Sequence, residues 1–252
     1  STPNLWETLI RPAKRLKTGE VLFAADGREL VEIGERTLAG DTFEIKLRCQ
    51  SQSELEEMLM QYGEMPLPPY VTAPLTASDR YQTVYANRPA SAAAPTAGLH
   101  FTPALIEALK SMGVNFLTVD LTVGLDTFAP VTEENPLNHP MHSEHYRVDA
   151  KTLDACAKAN RVIAIGTTAT RALESAASTG VLEGRTKMFI SRGYEFKVVD
   201  LLLTNFHMPR TTLLMMIEAF VGPRWRDLYS IAIAERYRML SFGDAMLLNR
   251  RL

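Results

Sequence analysis

The segment Pro66-Leu67-Pro68-Pro69 constrains what this chain can fold into more than any other part of its sequence. Proline fixes φ and lacks a backbone donor, so three prolines in four residues exclude both a helix interior and a central strand. The full length of 252 residues is enough for a medium domain and a small one. We therefore predict a small domain over residues 1–64 and a larger domain over residues 65–252.

The residues before this boundary are typical of short strands. Apolar stretches at 21–24, 28–33 and 42–48 are separated by Asp26-Gly27 and by residues 39–41, which favour turns. Ser53 with Glu56 three residues later predicts the start of a helix, and Gly63 can end it. We expect a small antiparallel, β-barrel-like domain.

After the boundary, predicted helices and strands alternate. Thr102-Pro103 predicts a helix start, because threonine can cap and proline is tolerated at the first helical position. Strands are predicted at 114–121, 161–165, 187–190 and 196–203, and helices at 102–113, 149–159, 167–178, 213–220 and 227–240, with a loop over 124–145. This alternation predicts an α/β fold, with a sheet domain that carries helices on its faces.

Three polar groupings lie where predicted strands meet predicted helices. Residues 94–102 include Gly98, which permits close backbone approach before a helix whose N–H groups favour anions. Gly166-Thr167-Thr168 follows an apolar strand, with Arg171 one turn further on to reach a carboxylate or phosphate. Residues 204–209 place an amide, an imidazole and an aromatic ring after another strand. A shared ligand cleft is one interpretation, and local connectors with a packed His100 are the other.

The segment from His139 to His145 contains three histidines and Glu144. Imidazole titrates near pH 6.5, so the segment suits proton transfer, and a histidine-assisted or metal-assisted hydrolase built on it is one alternative. The spacing differs from HExxH and the surrounding loop fixes no ligand geometry, so we expect no metal.

Charge is unevenly distributed along the chain. Residues 184–252 carry eleven basic and six acidic side chains, whereas the whole chain has a net charge of −2. A phosphate-bearing partner would favour such a basic region, although charge alone is explained more simply by solvated helix faces. No apolar run reaches the roughly 18 residues of a membrane span. Cys49 and Cys156 form no CxxC pair, so we expect a cytoplasmic protein.

Seven motifs, in order along the chain, resemble those of one family. They are PLPPY (66–70), DRYQTVYA (79–86), APTAGLHFT (94–102), MHSE (141–144), VIAIGTT (162–168), LLTNFH (202–207) and residues 237–246. Together they resemble the S-adenosylmethionine:tRNA ribosyltransferase-isomerases of the queuosine pathway, over nearly the whole chain. The resemblance implies an α/β domain carrying a β-barrel domain. It also implies a preceding segment with an Asn-Asp-Thr-Arg motif, which this sequence does not contain.

The resemblance implies an unusual group transfer. S-adenosylmethionine donates its ribosyl group to 7-aminomethyl-7-deazaguanine at the wobble position of a tRNA, adenine and methionine leave, and epoxyqueuosine results. Because the sulfonium acidifies the adjacent ribose carbon, the reaction needs a base there and a proton donor for the departing adenine. The resemblance implies four catalytic candidates, whose roles as base and acid stay open: His100, His142, Glu144 and His207.

The resemblance also implies a substrate-binding set and no metal cofactor. This set comprises Arg80, Tyr81, Thr96, Gly98, Gly166, Thr167, Thr168, Arg171 and Asn205. The sequence departs from the family pattern at Thr122, where a histidine is usual, at Asp126, where a glycine is usual, and at Arg192, where a proline is usual. An inactive or partial homologue that binds tRNA or a nucleoside without turnover is therefore the alternative function.

Overall fold

The computed structural model describes residues 4–10, 12, 15–38, 42–64, 67–68, 70–72, 77–87, 91, 93–123 and 143–250. The chain divides into two compact units, Ser1–Met65 and Pro66–Leu252, and each is described by itself. Among the residues described, no helix combines the length and the apolar composition that a membrane crossing requires.

The first unit is an antiparallel sheet covered by one helix. Its strands are β1 (Leu5–Thr8), β2 (Val21–Phe23), β3 (Glu29–Arg36) and β4 (Phe43–Leu47), in the order β1-β4-β3-β2. Buried and exposed residues alternate along β4, so Phe43, Ile45 and Leu47 share one face. Helix α1 (Gln52–Tyr62) packs Leu55 and Met58 against that face. The predicted antiparallel arrangement is confirmed.

Helix α1 begins two residues before the predicted start. The Ser51 hydroxyl accepts from the Glu54 backbone N–H at 3.1 Å, and the Glu54 carboxylate accepts from the Gln50 N–H at 2.8 Å. Ser51 and Ser53 each precede a glutamate by three residues, so the sequence pattern fits both positions. The predicted cap at Ser53 is therefore wrong, whereas the predicted end at Gly63 is confirmed.

The second unit combines two three-stranded sheets with five α-helices among its described residues. Its strands are β5 (Asp120–Thr122), β6 (Glu144–Arg147), β7 (Ile163–Ile165), β8 (Glu183–Thr186), β9 (Leu201–Asn205) and β10 (Ala245–Asn249). Its helices are α2 (Pro103–Ser111), α3 (Ala150–Lys158), α4 (Gly166–Thr179), α5 (Thr212–Val221) and α6 (Trp225–Ala234). One sheet has the antiparallel order β5-β6-β8; the other has the order β10-β9-β7, with β7 and β9 parallel. The predicted α/β class is confirmed.

The core of this unit lies around α4 and α5. Ala172 and Ala176 of α4 pack in one cluster with Leu202 of β9 and with Ile217 and Phe220 of α5. All five side chains are fully or almost fully buried. Helix α4 begins at Gly166, the residue after Ile165 of β7, so its first turn lies directly at the end of that strand.

Several predicted boundaries are wrong, and for the strands the reason is a pairing partner far away in sequence. Among the described residues, the stretch 187–190 is not a strand, because the partner strand β6 pairs with residues 183–186 instead. A strand is predicted at 114–121, but the residues that pair with β6 are 120–122. Helix α4 begins at Gly166 without a side-chain cap, so Thr167 and Thr168 lie inside its first turn. Helix α6 ends at Ala234, just before Arg236, whose φ of 58° is not helical.

Candidate functional site

The carboxyl ends of β7 and β9 lie beside the amino end of β10. Ile165 pairs with Leu203 in the parallel register, and Ala245 pairs with Asn205 in the antiparallel one. Residues that follow β7, follow β9 or precede β10 therefore meet at one edge of the sheet. This edge is where α/β proteins commonly bind ligands. We call it the β9 edge.

A short 3₁₀ helix, Thr96–His100, packs on the β9 edge, where it contacts β9 and α4. A β-carbon on Gly166, whose φ is 90°, would lie 3.4 Å from the Ala97 β-carbon. A β-carbon on Gly98 would lie only 2.1 Å from Tyr85 Oη. A larger residue at position 98 would therefore have to displace the Tyr85 side chain. The half-buried Thr96 begins the same segment.

His100 is attached to the β9 edge by a hydrogen bond. Its Nε2 lies 2.8 Å from Oδ1 of Asn205, which is 2% exposed. Asn205 Nδ2 donates to the backbone carbonyls of Leu240 and Ser241 at 3.1 and 3.3 Å. The structure therefore brings together three segments that are far apart in sequence: the 3₁₀ helix, the end of β9 and the loop before β10.

Asp244 belongs to the same arrangement and was not among the sequence candidates. Hydrogen bonds from Arg238 hold the pKa of the Asp244 carboxyl below its usual range, and an electrostatic interaction with His100 adds a smaller effect. The Arg238 guanidinium donates to Asp244 at 2.8 Å. An acidic residue directly before a strand could have indicated Asp244 as a site residue, but the strand β10 is not among the predicted strands.

His207 lies just beyond β9 in a desolvated position. Its Nε2 is 3.0 Å from the Thr204 hydroxyl, and its backbone N–H donates to Tyr229 Oη at 2.9 Å. Burial lowers the pKa of His207 to about 4 and raises the pKa of Tyr229 to about 12. His207 is therefore neutral near pH 7, and its imidazolium form is not available there as a proton donor.

Glu144 and Arg171, for which separate roles are predicted, form an ion pair with each other. Both side chains are buried, one on β6 and the other on α4. The next residue on β6, His145, is 40% exposed at its side chain and lies 3.3 Å from Glu183. His139, His142 and Asp126 lie outside the described residues. Within the described part of the chain, no three His, Cys, Asp or Glu side chains form a group that could hold a metal ion.

The remaining candidates lie around this edge without a shared contact. Tyr81 is fully buried against Phe242, with ring centroids 5.8 Å apart, and burial raises the pKa of Tyr81 to about 12. Arg80, beside it, is exposed. Thr167 and Thr168 are half-buried in the first turn of α4.

Two loops at the β9 edge carry unusual backbone conformations and exposed cations. Among the described residues, the non-glycine positions with positive φ are Arg210, Arg236 and Leu240, at 57°, 58° and 71°. Arg210 follows β9, and the other two precede β10. Both arginines are exposed, as are the neighbouring Tyr237 and Phe242. Strained backbone of this kind is concentrated at functional sites.

Comparisons with known proteins agree on one family. A family model described as "Queuosine biosynthesis protein" matches residues 1–248. The S-adenosylmethionine:tRNA ribosyltransferase-isomerase of Desulfitobacterium hafniense is 49% identical over 97% of this chain and 74% of its own length. The protein of the same name from Carboxydothermus hydrogenoformans is 46% identical over 96% and 73%. The crystal structure of an S-adenosylmethionine tRNA ribosyltransferase from Thermotoga maritima matches with a TM-score of 0.50 and 32% identity, covering 97% of this chain and 70% of that one.

Proposed function

Since the chain belongs to the S-adenosylmethionine:tRNA ribosyltransferase-isomerase family of queuosine biosynthesis, we propose that it transfers and isomerises the ribosyl group of S-adenosylmethionine onto 7-aminomethyl-7-deazaguanine at the wobble position of a tRNA. The product is epoxyqueuosine, with adenine and methionine as leaving groups. The observation that carries the proposal is the meeting of His100, Asn205 and the first turn of α4 at the β9 edge. Since tRNA is the proposed acceptor, we propose a cytoplasmic location.

His100 is the proposed base. It is half-buried and hydrogen-bonded through one ring nitrogen only among the described residues, so its other nitrogen is available to a substrate. His207 is neutral near pH 7, which suits a hydrogen-bonding contact better than proton donation. The Glu144 carboxylate is engaged by Arg171, so we propose that this pair positions β6 against α4. His142 stays a candidate for the proton donor.

The first turn of α4 is the proposed binding site for polar groups of the donor. The first backbone N–H groups of any helix have no intrahelical partner, and in this 14-residue helix, which starts at Gly166, no side chain caps them either. Such groups favour anions, and the methionine carboxylate of S-adenosylmethionine is one. The hydroxyls of Thr167 and Thr168 lie in the same turn.

The two loops at the β9 edge are the proposed tRNA contacts. Arg210 and Arg236 are exposed and form no ion pair within the described residues, so both are free to bind phosphates. Tyr237 and Phe242 have exposed fractions of 47% and 39%, and their rings provide stacking surfaces for unpaired bases. Unpaired, extruded bases are what an enzyme that modifies an anticodon must hold.

The deciding experiment measures adenine release from S-adenosylmethionine in the presence of tRNA carrying the deazaguanine precursor. We expect adenine and methionine in equal amounts, and none when the tRNA lacks the precursor. His100→Gln is expected to lower the rate by about 10²–10⁴, the usual contribution of general acid–base catalysis. His145→Gln is the matched control, because it removes an imidazole that pairs with Glu183 on the surface of β6.

A second candidate function is binding without turnover. The family pattern has a histidine where this chain has Thr122, and Thr122 lies on β5 opposite His145. Saturable binding of precursor tRNA without any adenine release would favour this alternative. Restoring turnover with Thr122→His would then identify the missing imidazole as the cause.

A further inference from the structure

We propose that Asn205 is a positioning residue that fixes the tautomer of His100, with the proton on Nε2 and the lone pair on Nδ1. The base that meets the substrate is then Nδ1 of His100. The role of Nδ1 toward a substrate rests on the proposed function. The tautomer itself is a property of the free protein.

The orientation of the Asn205 amide is determined by its surroundings. The backbone carbonyl oxygens of Leu240 and Ser241 can only accept hydrogen bonds, so the NH₂ group of Asn205 must face them. A flipped amide would place Oδ1 against both carbonyls in a site that is 2% exposed. A buried polar group left unsatisfied carries the full cost of its removal from water, so one orientation is strongly favoured.

This orientation determines which nitrogen of His100 carries the proton. Asn205 Oδ1 lies 2.8 Å from His100 Nε2, and an amide oxygen can only accept. Nε2 must therefore donate, which leaves the lone pair of the neutral ring on Nδ1. Among the described residues, no group forms a hydrogen bond with Nδ1. The nearby pair of His207 and Thr204 differs, because a hydroxyl both donates and accepts and so selects neither tautomer.

The loop before β10 is built to hold those two carbonyls in place. Leu240 has a φ of 71°, and its N–H donates to the Phe206 carbonyl at 3.0 Å. The Ser241 hydroxyl is 2.7 Å from Tyr70 Oη. A β-carbon on Gly243 would lie 2.3 Å from the Arg238 carbonyl oxygen, so this tight turn requires glycine. The strain in the loop is thus connected to the orientation of Asn205 and, through it, to His100.

The test is ¹⁵N NMR of the protein labelled at histidine, with His100→Gln used to assign the His100 signals. Above the pH at which the ring loses its charge, we expect a protonated Nε2 and an unprotonated Nδ1. A proton on Nδ1 would overturn the inference. Thr204→Val is the matched control: it removes the hydroxyl beside His207 and should leave the His100 signals unchanged.

Asn205→Asp adds a test of positioning, because it places a carboxylate against Nε2. An opposite charge within about 4–6 Å raises an imidazole pKa, so we expect the NMR titration of His100 to move up by about one pH unit or more. In a plot of kcat against pH, the fall in kcat on the acidic side should move up by the same amount as the His100 titration. If Asn205 had only a structural role, the variant would lower kcat without shifting the acidic side of this plot. An unchanged NMR titration of His100 would contradict the proposal. If this variant does not fold, the wild-type spectrum alone decides.

The two proposals fail separately in these experiments. A protein with the expected tautomer that releases no adenine would refute the proposed function and leave the positioning role of Asn205 intact. A protein that releases adenine with the proton of His100 on Nδ1 would refute only the positioning role.

Discussion

Removing one partner of the buried Glu144–Arg171 ion pair is expected to destabilise the protein strongly. Arg171→Met leaves a carboxylate in a position where both side chains are almost entirely buried. Breaking such a pair costs about 3–5 kcal/mol, because the buried carboxylate has lost the guanidinium and cannot reach water. For a domain of this size that corresponds to a melting temperature about 6–20 °C lower. The exposed pair of Glu107 and Lys110, with Nζ and Oε1 2.7 Å apart, is the matched control. There, Lys110→Met should cost less than about 1 kcal/mol.

The double variant Glu144→Leu/Arg171→Met separates the structural role from a catalytic one. Replacing both charges with apolar groups is often close to neutral for stability, so we expect it to recover most of the loss seen in Arg171→Met. Urea unfolding followed by circular dichroism gives the free energies, and adenine release gives turnover. A stable double variant without turnover would show that the Glu144 carboxylate or the Arg171 guanidinium takes part in the chemistry or in substrate binding. A cost below about 1 kcal/mol for Arg171→Met would refute the reasoning from burial.

Three further predictions address the packing, the charge and the pH response of the same unit. Gly98→Ala should destabilise it by about 1–3 kcal/mol in urea unfolding, since its β-carbon would overlap the Tyr85 hydroxyl, and Tyr85→Phe should restore part of the loss. Arg236→Ala should reduce the salt dependence of tRNA affinity by about one unit of slope in a filter-binding titration, whereas Arg161→Ala, at the opposite end of β7, should leave it unchanged. Because the folded pKa of His207, about 4, lies below the unfolded value of 6.5, the unfolded chain binds more protons between these pH values. Stability should therefore fall as pH falls through that range, and His207→Gln should weaken this dependence in urea unfolding at pH 7, 5.5 and 4.5.

Local signals in the sequence predicted much of the fold. Thr102 caps α2 and Pro103 occupies its first position, because both effects depend on adjacent residues only. The apolar run that forms α5 was likewise predicted almost to its ends. Strands were predicted less well. Strand β6 lies partly inside a predicted loop, since its sequence, Glu-His-Tyr-Arg, shows an apolar pattern too short to detect.

The sequence predicts which segments form the candidate site, but not which side chains contact each other there. The polar groupings around Gly98, Gly166 and Asn205 meet at the β9 edge, as one of the two sequence interpretations required. The pairing of Glu144 with Arg171 was not predicted, because it depends on the strand β6 packing against α4. Glu174 shows the same limitation: it is fully buried and accepts from three consecutive backbone N–H groups, 197–199, which no local pattern indicates.

The His100–Asn205 contact shows why these failures have one physical origin. A hydrogen bond between residues 105 positions apart leaves no periodicity in the sequence, and its direction depends on two carbonyls in a third segment. Residue types set which groups can donate or accept, and those are visible in the sequence. The folded chain sets which donor meets which acceptor, and here that second step decides the protonation of an imidazole. The proposed base, His100, needs a free lone pair, so its proposed chemistry depends on the loop before β10 as much as on the histidine itself.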